Sequence, residues 1–199
     1  MTIEVKLSEH KDNLTYSIQN IVVKSSLNTR KELDLKVLNA KLDNTQYSSS
    51  RFPGLFARFN HPRCVIIIFR NGKLILTGLK SSKYIDLTIE RLILQLNKLL
   101  PEKLNRDYII SEIVNIVVTA NLFKEINLDS AALKLNNAIY EPEVFPGLVY
   151  NSKNPVKSVF LIFSTGKIVL TGVKKEELIE PILINLGRLL KKKELFNSV

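Results

Sequence analysis

The chain has 199 residues, 45% of them hydrophobic, and it carries 29 Lys and Arg against 19 Asp and Glu, a formal charge of +10. This length allows one ordinary domain or two small ones, and the hydrophobic fraction excludes a disordered chain. A single cysteine, Cys64, excludes an intrachain disulfide and a zinc site built on several thiolates. Because there is no secretory signal and no membrane-length apolar run, the sequence predicts a soluble intracellular protein.

The positive charge is concentrated in the first half of the chain. Residues 1–100 carry 16 basic and 8 acidic side chains, whereas residues 101–199 carry 13 and 11. A basic excess of this kind favours a polyanionic partner, with nucleic acid ahead of a membrane surface. The uneven distribution indicates that the two halves have different roles or different partners.

The sequence repeats itself once. Residues 51–80 align with 144–174 after one insertion, with identity at 14 of 30 positions, and residues 18–23 recur as 113–118. The spacing between matching residues stays within 93 to 95. Two copies are too few for a solenoid, so we expect a pseudo-twofold pair sharing one sheet or core. The first repeat is predicted at 16–104 and the second at 105–196.

Each repeat is predicted to contain the same elements in the same order. An extended segment (18–23 and 113–118) leads into a short helix, which falls at 34–39 in the first copy and is capped by Asp129 in the second. Three strands follow, and Asn71-Gly72 and Thr165-Gly166 mark tight turns between the last two of them. The strands are expected around 54–59, 64–69 and 73–77, and again at 147–151, 158–163 and 167–171.

A long amphipathic helix closes each repeat. In the first copy Ser81 or Ser82 is the expected cap, and in the second Pro181 lies in the first turns while Gly187 weakens the helix. The apolar face of the first helix comprises Ile85, Ile89, Leu92, Ile93, Leu96, Leu99 and Leu100. That of the second comprises Leu178, Ile179, Ile182, Leu183, Leu186, Leu189 and Leu190.

The predicted strands are apolar on both faces. Residues 64–69 (CVIIIF) and 159–163 (VFLIF) lack the alternation of a half-solvated antiparallel strand. The helices can cover one face. The other is either buried beneath a further layer or available to a subunit or ligand, because large exposed apolar patches are uncommon in soluble monomers.

The repeated motifs resemble those of the TATA-box-binding protein family, most closely its archaeal members. They are NIV at 20–22 and 115–117, FPGL at 52–55 and 145–148, GK at 72–73 and 166–167, and LTG at 76–78 and 170–172. The resemblance covers roughly residues 16–196. It implies an α+β fold in which two pseudo-symmetric repeats form one curved antiparallel sheet, a saddle, with helices on the convex face. The concave face would then be the uncovered apolar face, and it would bind DNA.

The resemblance also implies a function. It indicates a general transcription initiation factor that binds the minor groove of A·T-rich promoter DNA, the TATA box, and kinks it without a cofactor. Kinking by apolar side chains inserted between base steps is a mechanism for which this family is itself an established example. By this resemblance the inserted wedges are Phe52, Phe69, Phe145 and Phe163.

Further site residues follow from the same resemblance. Asn20 and Asn115 would reach the groove floor, where A N3 and T O2 accept hydrogen bonds in both A·T orientations. The other floor residues are Val22, Ile67, Ile75, Thr77, Val117, Leu161, Val169 and Thr171. The expected phosphate contacts are Arg58, Arg63, Lys73, Lys80, Lys167 and Lys174. Such contacts set affinity and salt dependence rather than sequence preference.

A short acidic segment matches the place where the family docks a protein partner. Glu141, Glu143 and Val144 would contact transcription factor IIB or its archaeal counterpart, and through it RNA polymerase. The first repeat has no acid in the equivalent stretch, 47–51. The resemblance excludes an enzyme and a membrane partner, and it places the protein in the nucleoid of the cytoplasm if archaeal and in the nucleus if eukaryotic.

The sequence departs from the family pattern in the second repeat. Asn151 stands where an arginine is usual, one residue is inserted between Pro155 and Val159, and Val114 replaces a glutamine. These departures predict a weaker grip on the DNA backbone by the second repeat.

Two alternatives to this function stay open at this point. The chain could be a diverged paralogue, or an interaction module of the same fold with weak or no TATA specificity. A thiol enzyme using His61 and Cys64 lacks an accompanying acid or oxyanion motif. Without DNA, a homodimer formed through the apolar face is compatible with the pattern.

Overall fold

The computed structural model describes residues 3–6 and 13–197, which form eleven strands and four α-helices. The strands are β1 (Ile3–Lys6), β2 (Asn13–Ser26), β3 (Thr45–Gln46), β4 (Gly54–Asn60), β5 (Arg63–Phe69), β6 (Lys73–Leu79), β7 (Ser111–Asn121), β8 (Ala138–Ile139), β9 (Leu148–Ser152), β10 (Ser158–Ile162) and β11 (Lys167–Val173). The helices are α1 (Leu35–Lys41), α2 (Ile85–Leu96), α3 (Leu128–Lys134) and α4 (Ile179–Lys192). None of the helices in the described ranges has the length and apolar character needed to cross a lipid bilayer.

The chain divides into two compact units. The first unit comprises residues 20–114, and the second joins the N-terminal residues up to Gln19 to the residues from Asn115 onwards. Strands β2 and β7 therefore each contribute residues to both units. The predicted boundary between the repeats, at 104/105, concerns the sequence and stays a prediction.

Both units arrange their strands in the same antiparallel order. In the first unit β3, β4, β5 and β6 pair in succession, and β6 pairs with residues 21–26 of β2. In the second unit β8, β9, β10 and β11 pair in succession, and β11 pairs with residues 116–121 of β7. Strand β1 pairs with the beginning of β2. The duplicated sequence thus produces a duplicated topology, and the predicted antiparallel α+β arrangement is confirmed.

One face of the strands in each unit forms a core beneath the long helix. In the first unit Cys64 and Ile66 of β5 are buried, and Thr88 of α2 lies within hydrogen-bond reach of the Cys64 thiol. In the second unit Phe160 of β10 and Ile182 of α4 are buried and border the same cavity. Burial of these apolar side chains stabilises the packing of each helix on its strands.

The short helices are capped by side chains, one of them at an unexpected residue. The Asp34 carboxylate accepts hydrogen bonds from the amides of Lys36 and Val37, at 3.0 and 3.1 Å. At α3 the cap is Asn127, whose Oδ1 accepts a hydrogen bond from the Ser130 amide at 2.8 Å. The prediction of Asp129 as the cap is therefore wrong. Asp129 lies inside the first turn, where its negative charge favours the positive end of the helix dipole.

The first long helix differs from its prediction at both ends. A 3₁₀ turn, Ser82–Tyr84, precedes α2; the predicted Ser81 is the capping residue of that turn, Tyr84 is that of α2, and neither side chain makes a capping hydrogen bond. Helix α2 ends at Leu96, before the two final leucines of the predicted face. Asn97 fixes this end, because its amide group donates to the Leu104 carbonyl and accepts from the Leu104 amide, at 2.9 and 2.7 Å.

The second long helix follows its prediction more closely. Helix α4 begins at Ile179 after a 3₁₀ turn, Glu176–Leu178. Pro181 is its third residue, a position whose backbone has no intrahelical donor role, so the missing N–H costs nothing there. Gly187 is buried within the helix.

Candidate nucleic-acid interface

The strands of each unit have a second face that is apolar and half-buried rather than buried. In β5, Val65 and Ile67 alternate with buried residues, and in β10, Val159 and Leu161 do the same. No layer of the described part of the chain buries this face, which resolves the two interpretations left open by the sequence. We call it the open face of each unit. In the first unit it comprises Val22, Phe56, Val65, Ile67, Ile75 and Thr77, and in the second Val117, Val149, Val159, Leu161, Val169 and Thr171.

The structure places all eight predicted apolar and threonine floor residues on the open faces. Strand register sets Ile67 opposite Ile75 and Leu161 opposite Val169. The motif comparison missed four further residues of these faces, namely Phe56, Val65, Val149 and Val159. Val65 and Val159 could have been predicted from the sequence, because side chains two residues apart on a strand share a face and each lies two residues before a predicted floor residue.

The two predicted asparagines have matching hydrogen bonds. Oδ1 of Asn20 accepts from the Gly78 amide at 2.7 Å and from the Thr77 hydroxyl at 3.2 Å. Oδ1 of Asn115 accepts from the Gly172 amide at 2.8 Å, and the Thr171 hydroxyl lies 3.2 Å away. A backbone N–H can only donate, so it fixes which end of the asparagine amide faces the glycine. The NH₂ group of each asparagine is thereby directed away from the glycine, and that of Asn115 donates to the Thr171 hydroxyl at 3.1 Å.

The glycine of each LTG motif makes this arrangement possible. Gly78 and Gly172 have φ of +98° and +89°, a left-handed conformation that strains any residue with a Cβ. The register of β2 with β6 shifts between Ile21 and Val23, and that of β11 with β7 shifts between Leu170 and Val173. This irregularity turns the glycine amide toward the asparagine. The NIV and LTG motifs are therefore two parts of one local structure.

The four predicted wedges form two pairs of aromatic rings. The ring centroids of Phe52 and Phe69 lie 6.0 Å apart, and those of Phe145 and Phe163 lie 5.8 Å apart. Phe52 is 37% exposed, and the other three are half-buried. Phe56, on the first open face, adds a third ring 5.2 Å from that of Phe52.

The glycine of each FPGL motif lets a ring lie against the backbone. A Cβ at Gly54 would stand 2.7 Å from Cε1 of Phe52, and a Cβ at Gly147 would stand 2.7 Å from Cε1 of Phe145. Any side chain at these glycines would displace the ring. The motif therefore fixes where the first phenylalanine of each pair lies.

The six predicted phosphate contacts are all exposed. By alternation, Arg63 and Lys73 share the face of Ile67 and Ile75, and Lys167 shares the face of Val169. Across residues 3–6 and 13–197, none of the six joins an ion pair with a carboxylate. Positive charge therefore borders both open faces.

The predicted docking residues lie on the turn that precedes a wedge. The amides of Val144 and Phe145 both donate to the Glu141 carbonyl, at 2.9 Å. Glu141 and Glu143 are exposed, and Val144 is 80% exposed. The first unit has the same turn closed on the Ser48 carbonyl, without acidic side chains. The backbone of the turn is common to both units, and the acids belong to the second alone.

The thiol considered as a nucleophile lies in the core. Cys64 is 3% exposed, and burial raises the pKa of its thiol, although the Thr88 hydroxyl and the Arg91 guanidinium act in the opposite direction. A raised thiol pKa disfavours the thiolate that nucleophilic catalysis requires. The side chain therefore contributes packing rather than chemistry.

Comparison with known proteins relates the whole arrangement to one family. A family model described as "Transcription factor TFIID (or TATA-binding protein, TBP)" matches residues 15–99 and 110–193. The chain is 40% identical over 161 residues to the TATA-box-binding protein of Sulfurisphaera tokodaii, covering 81% of this chain and 79% of that relative. It is 40% identical over 164 residues to the one from Pyrococcus horikoshii, covering 82% and 83%.

A solved structure has the same fold. The protein described as Methanococcus jannaschii TBP matches with a TM-score of 0.78 at 37% identity, covering 89% of this chain and 98% of that one. The predicted fold class and the resemblance from which it came are therefore both confirmed.

Proposed function

Because the chain belongs to the TATA-box-binding protein family, whose members are DNA-binding transcription factors and not enzymes, we propose that it binds A·T-rich promoter DNA through the minor groove. One observation carries this proposal. Asn20 and Asn115 each hold the amide oxygen against a glycine N–H, so the NH₂ group, which can only donate, is directed away from that glycine beside an apolar face. Donors on an apolar surface match a groove floor whose only polar groups are the acceptors A N3 and T O2.

The apolar character of the open faces accounts for selectivity against G·C pairs. Guanine adds an N2 amino donor to the minor groove. Against Ile67, Ile75, Leu161 or Val169 that donor would lose its hydrogen bond to water and gain none in return. An unpaired buried donor costs about 1–3 kcal/mol, which is the expected penalty for each such base pair.

The two phenylalanine pairs support a kinked mode of binding. Each pair presents exposed or half-buried rings beside an open face, so the rings are accessible to a base step that opens toward them. A flat apolar ring replaces part of the stacking lost at that step, which costs a few kcal/mol. The fixed position of Phe52 and Phe145 against glycines reduces the ordering that insertion requires.

The second unit offers fewer positive charges to the DNA backbone. In register, Arg58 of β4 lies opposite Val65, and Asn151 of β9 lies opposite Val159 at the corresponding place. A cation in the first unit is thus replaced by a neutral amide in the second. This difference supports weaker contact between the second repeat and the phosphate backbone of the DNA.

The acidic turn supports a protein partner. Glu141, Glu143 and Val144 project from a turn that leads directly into a wedge, so a partner bound there would also be close to the kinked DNA. The partner we propose is a transcription factor IIB-type protein, which connects the complex to RNA polymerase. With archaeal relatives, the site of action would be the nucleoid. Homodimer formation through the open faces in the absence of DNA stays a prediction.

A gel-shift comparison tests the minor-groove assignment. A TATA duplex, a scrambled duplex and a TATA duplex with inosine·cytosine in place of adenine·thymine would be titrated at several salt concentrations. Inosine·cytosine lacks the guanine amino group, so it keeps the A·T pattern of the minor groove and alters the major groove. We expect the inosine duplex to bind like the TATA duplex and the scrambled one to bind more weakly. If all six cations contact phosphates, log K should fall with log salt with a slope of about −5. Equal affinity for all three duplexes, or loss of binding to the inosine duplex, refutes the assignment.

A further inference from the structure

The first wedge of the first unit contacts two other aromatic rings. Phe52 folds over Gly54, where a Cβ would stand 2.7 Å from Cε1 of its ring. The centroid of this ring is 5.2 Å from that of Phe56 and 6.0 Å from that of Phe69. Gly54 and Phe56 are two residues apart on β4, and Phe69 lies opposite Gly54 in the strand register. Three rings thus surround one glycine, and one of them, Phe56, is not a predicted wedge.

The second unit has no ring at the place of Phe56. The FPGL motifs align Phe56 with Val149, and both residues lie on the open face of their unit. In the second unit both wedges approach the glycine, since a Cβ at Gly147 would stand 2.7 Å from Cε1 of Phe145 and 3.1 Å from Cε1 of Phe163. The wedges of the second unit therefore pack on each other, whereas the first wedge of the first unit packs most closely on a ring that is not a wedge.

Phe56 has a further contact along its own strand. Cζ of Arg58 lies 6.0 Å from the centre of the Phe56 ring, which is a cation–π distance. The guanidinium of Arg58 also donates to Oε1 of Gln46 at 3.3 Å. Phe56 is half-buried, whereas Phe52 is 37% exposed. Phe56 therefore offers the more exposed ring of Phe52 a surface against which it can pack.

We propose that Phe56 is a positioning residue for Phe52, which holds that ring in the place from which it enters a base step. This inference rests on the kinked mode of binding in the proposed function. An exposed ring loses rotamer freedom when it is inserted into DNA. A neighbour that already restricts the ring in the free protein removes part of this cost. Phe56 lies on β4 opposite the floor residue Ile67, so it supports the wedge without being one.

The size of the effect follows from the ring contact. Of the three ring contacts that involve a wedge, that of Phe52 with Phe56 is the shortest. Beyond the area that it buries, an aromatic pair at such a distance contributes a factor of about two to ten to an equilibrium constant. Valine has no ring, so Phe56→Val should lower the ratio of kinked to unkinked complexes about fivefold.

Single-molecule fluorescence transfer across a TATA duplex labelled at both ends measures this ratio. The proteins compared are the original, Phe56→Val, Phe52→Ala and the double variant Phe52→Ala/Phe56→Val. Phe56→Val gives the first unit the side chain that the second unit has at the corresponding place. Because Phe56 acts through Phe52, the double variant should have the same ratio as Phe52→Ala alone. Phe56→Tyr retains the ring and should retain the original ratio.

A matched control shortens the corresponding residue of the second unit. Val149→Ala removes apolar surface from an open face without removing a ring, so its effect on the ratio should be the same with and without Phe52→Ala. Thermal melting establishes that each variant is folded. If Phe56→Val does not fold, Phe56→Leu takes its place, because leucine keeps more of the apolar volume and also lacks the ring.

Two results overturn the inference while the kinked mode of binding stands. One is an unchanged ratio in a folded variant that lacks the Phe56 ring. The other is an equal fall in the ratio when the same change is made in the Phe52→Ala background, because Phe56 would then act on the DNA directly. Failure of the proposed kinked mode is recognised separately, since the original protein would bind the TATA duplex and give no kinked complexes, and both proposals would then fall together.

Discussion

The substitution Asn115→Asp distinguishes the contribution of this side chain to the stability of the second unit from its contribution to DNA binding. Aspartate has nearly the shape of asparagine, and one carboxylate oxygen can still accept from the Gly172 amide, 2.8 Å from Oδ1. The Thr171 hydroxyl, 3.2 Å away, can donate to the same group. Hydrogen bonds to an ionised acceptor are at least as strong as those to a neutral one. We therefore expect the free energy of unfolding to stay within about 1 kcal/mol of the original value.

The same substitution should greatly reduce the affinity for DNA. It replaces the NH₂ donor of Asn115 by a second anionic oxygen, which in the proposed complex would face the acceptors A N3 and T O2. The lost hydrogen bond and the unpaired charge together should cost about 3 kcal/mol, or roughly a hundredfold in affinity. Titration of a fluorescently labelled TATA duplex at fixed salt, followed by anisotropy, measures this loss.

A control variant accounts for the change in net charge. Asn185→Asp introduces the same charge at an exposed position on α4, the helix that covers the opposite side of the strands. Its effect on affinity should be no more than a few-fold at moderate salt, because exposed charges beyond a Debye length are screened. Equal losses in the two variants would show that the effect is purely one of charge. Unchanged affinity in Asn115→Asp would mean that this amide does not reach the groove floor.

Three further changes test other parts of the site. Phe145→Ala/Phe163→Ala should reduce DNA bending measured by fluorescence transfer while folding persists, since these rings are only half-buried; unchanged bending would assign them a structural role. Glu141→Lys/Glu143→Lys should weaken recruitment of a transcription factor IIB-type protein and leave binary DNA binding intact, and loss of DNA binding would contradict a docking role. Gly78→Ala should lower the free energy of unfolding by about 1–3 kcal/mol because its φ is left-handed, and a melting temperature equal to that of the original protein would exclude this strain.

Local signals predicted the elements well where neighbours in sequence decide the structure. The apolar runs and turn glycines located the strands, and Asp34 caps α1 where the pattern placed a helix. Local signals could not predict where α2 ends. The hydrogen bonds of Asn97 that fix this end are made to Leu104, seven residues further along the chain, and they form only when the chain folds back there. The cap of α3 was missed by two residues, since Asn127 and Asp129 both suit a helix start and only the hydrogen bond to Ser130 distinguishes them.

The site residues could be predicted because the sequence contains two copies of the same motifs. Any single phenylalanine or asparagine would have been read as an ordinary core or turn residue, but matching pairs at one spacing identified both sets. The structure then added what spacing cannot supply. The ion pair of Lys24 with Glu112, for example, joins residues of β2 and β7, two strands that are far apart in the sequence.

The half-buried apolar residues of the open faces also affect the temperature dependence of binding. Side chains such as Ile67 and Leu161 are in contact with water before DNA arrives, and removing that water gives association a negative heat-capacity change. Near room temperature the release of such water is favourable in entropy rather than in enthalpy. Calorimetry would therefore record an enthalpy of association that becomes steadily more exothermic on warming, so that the favourable contribution of dehydration passes from entropy to enthalpy as the temperature rises.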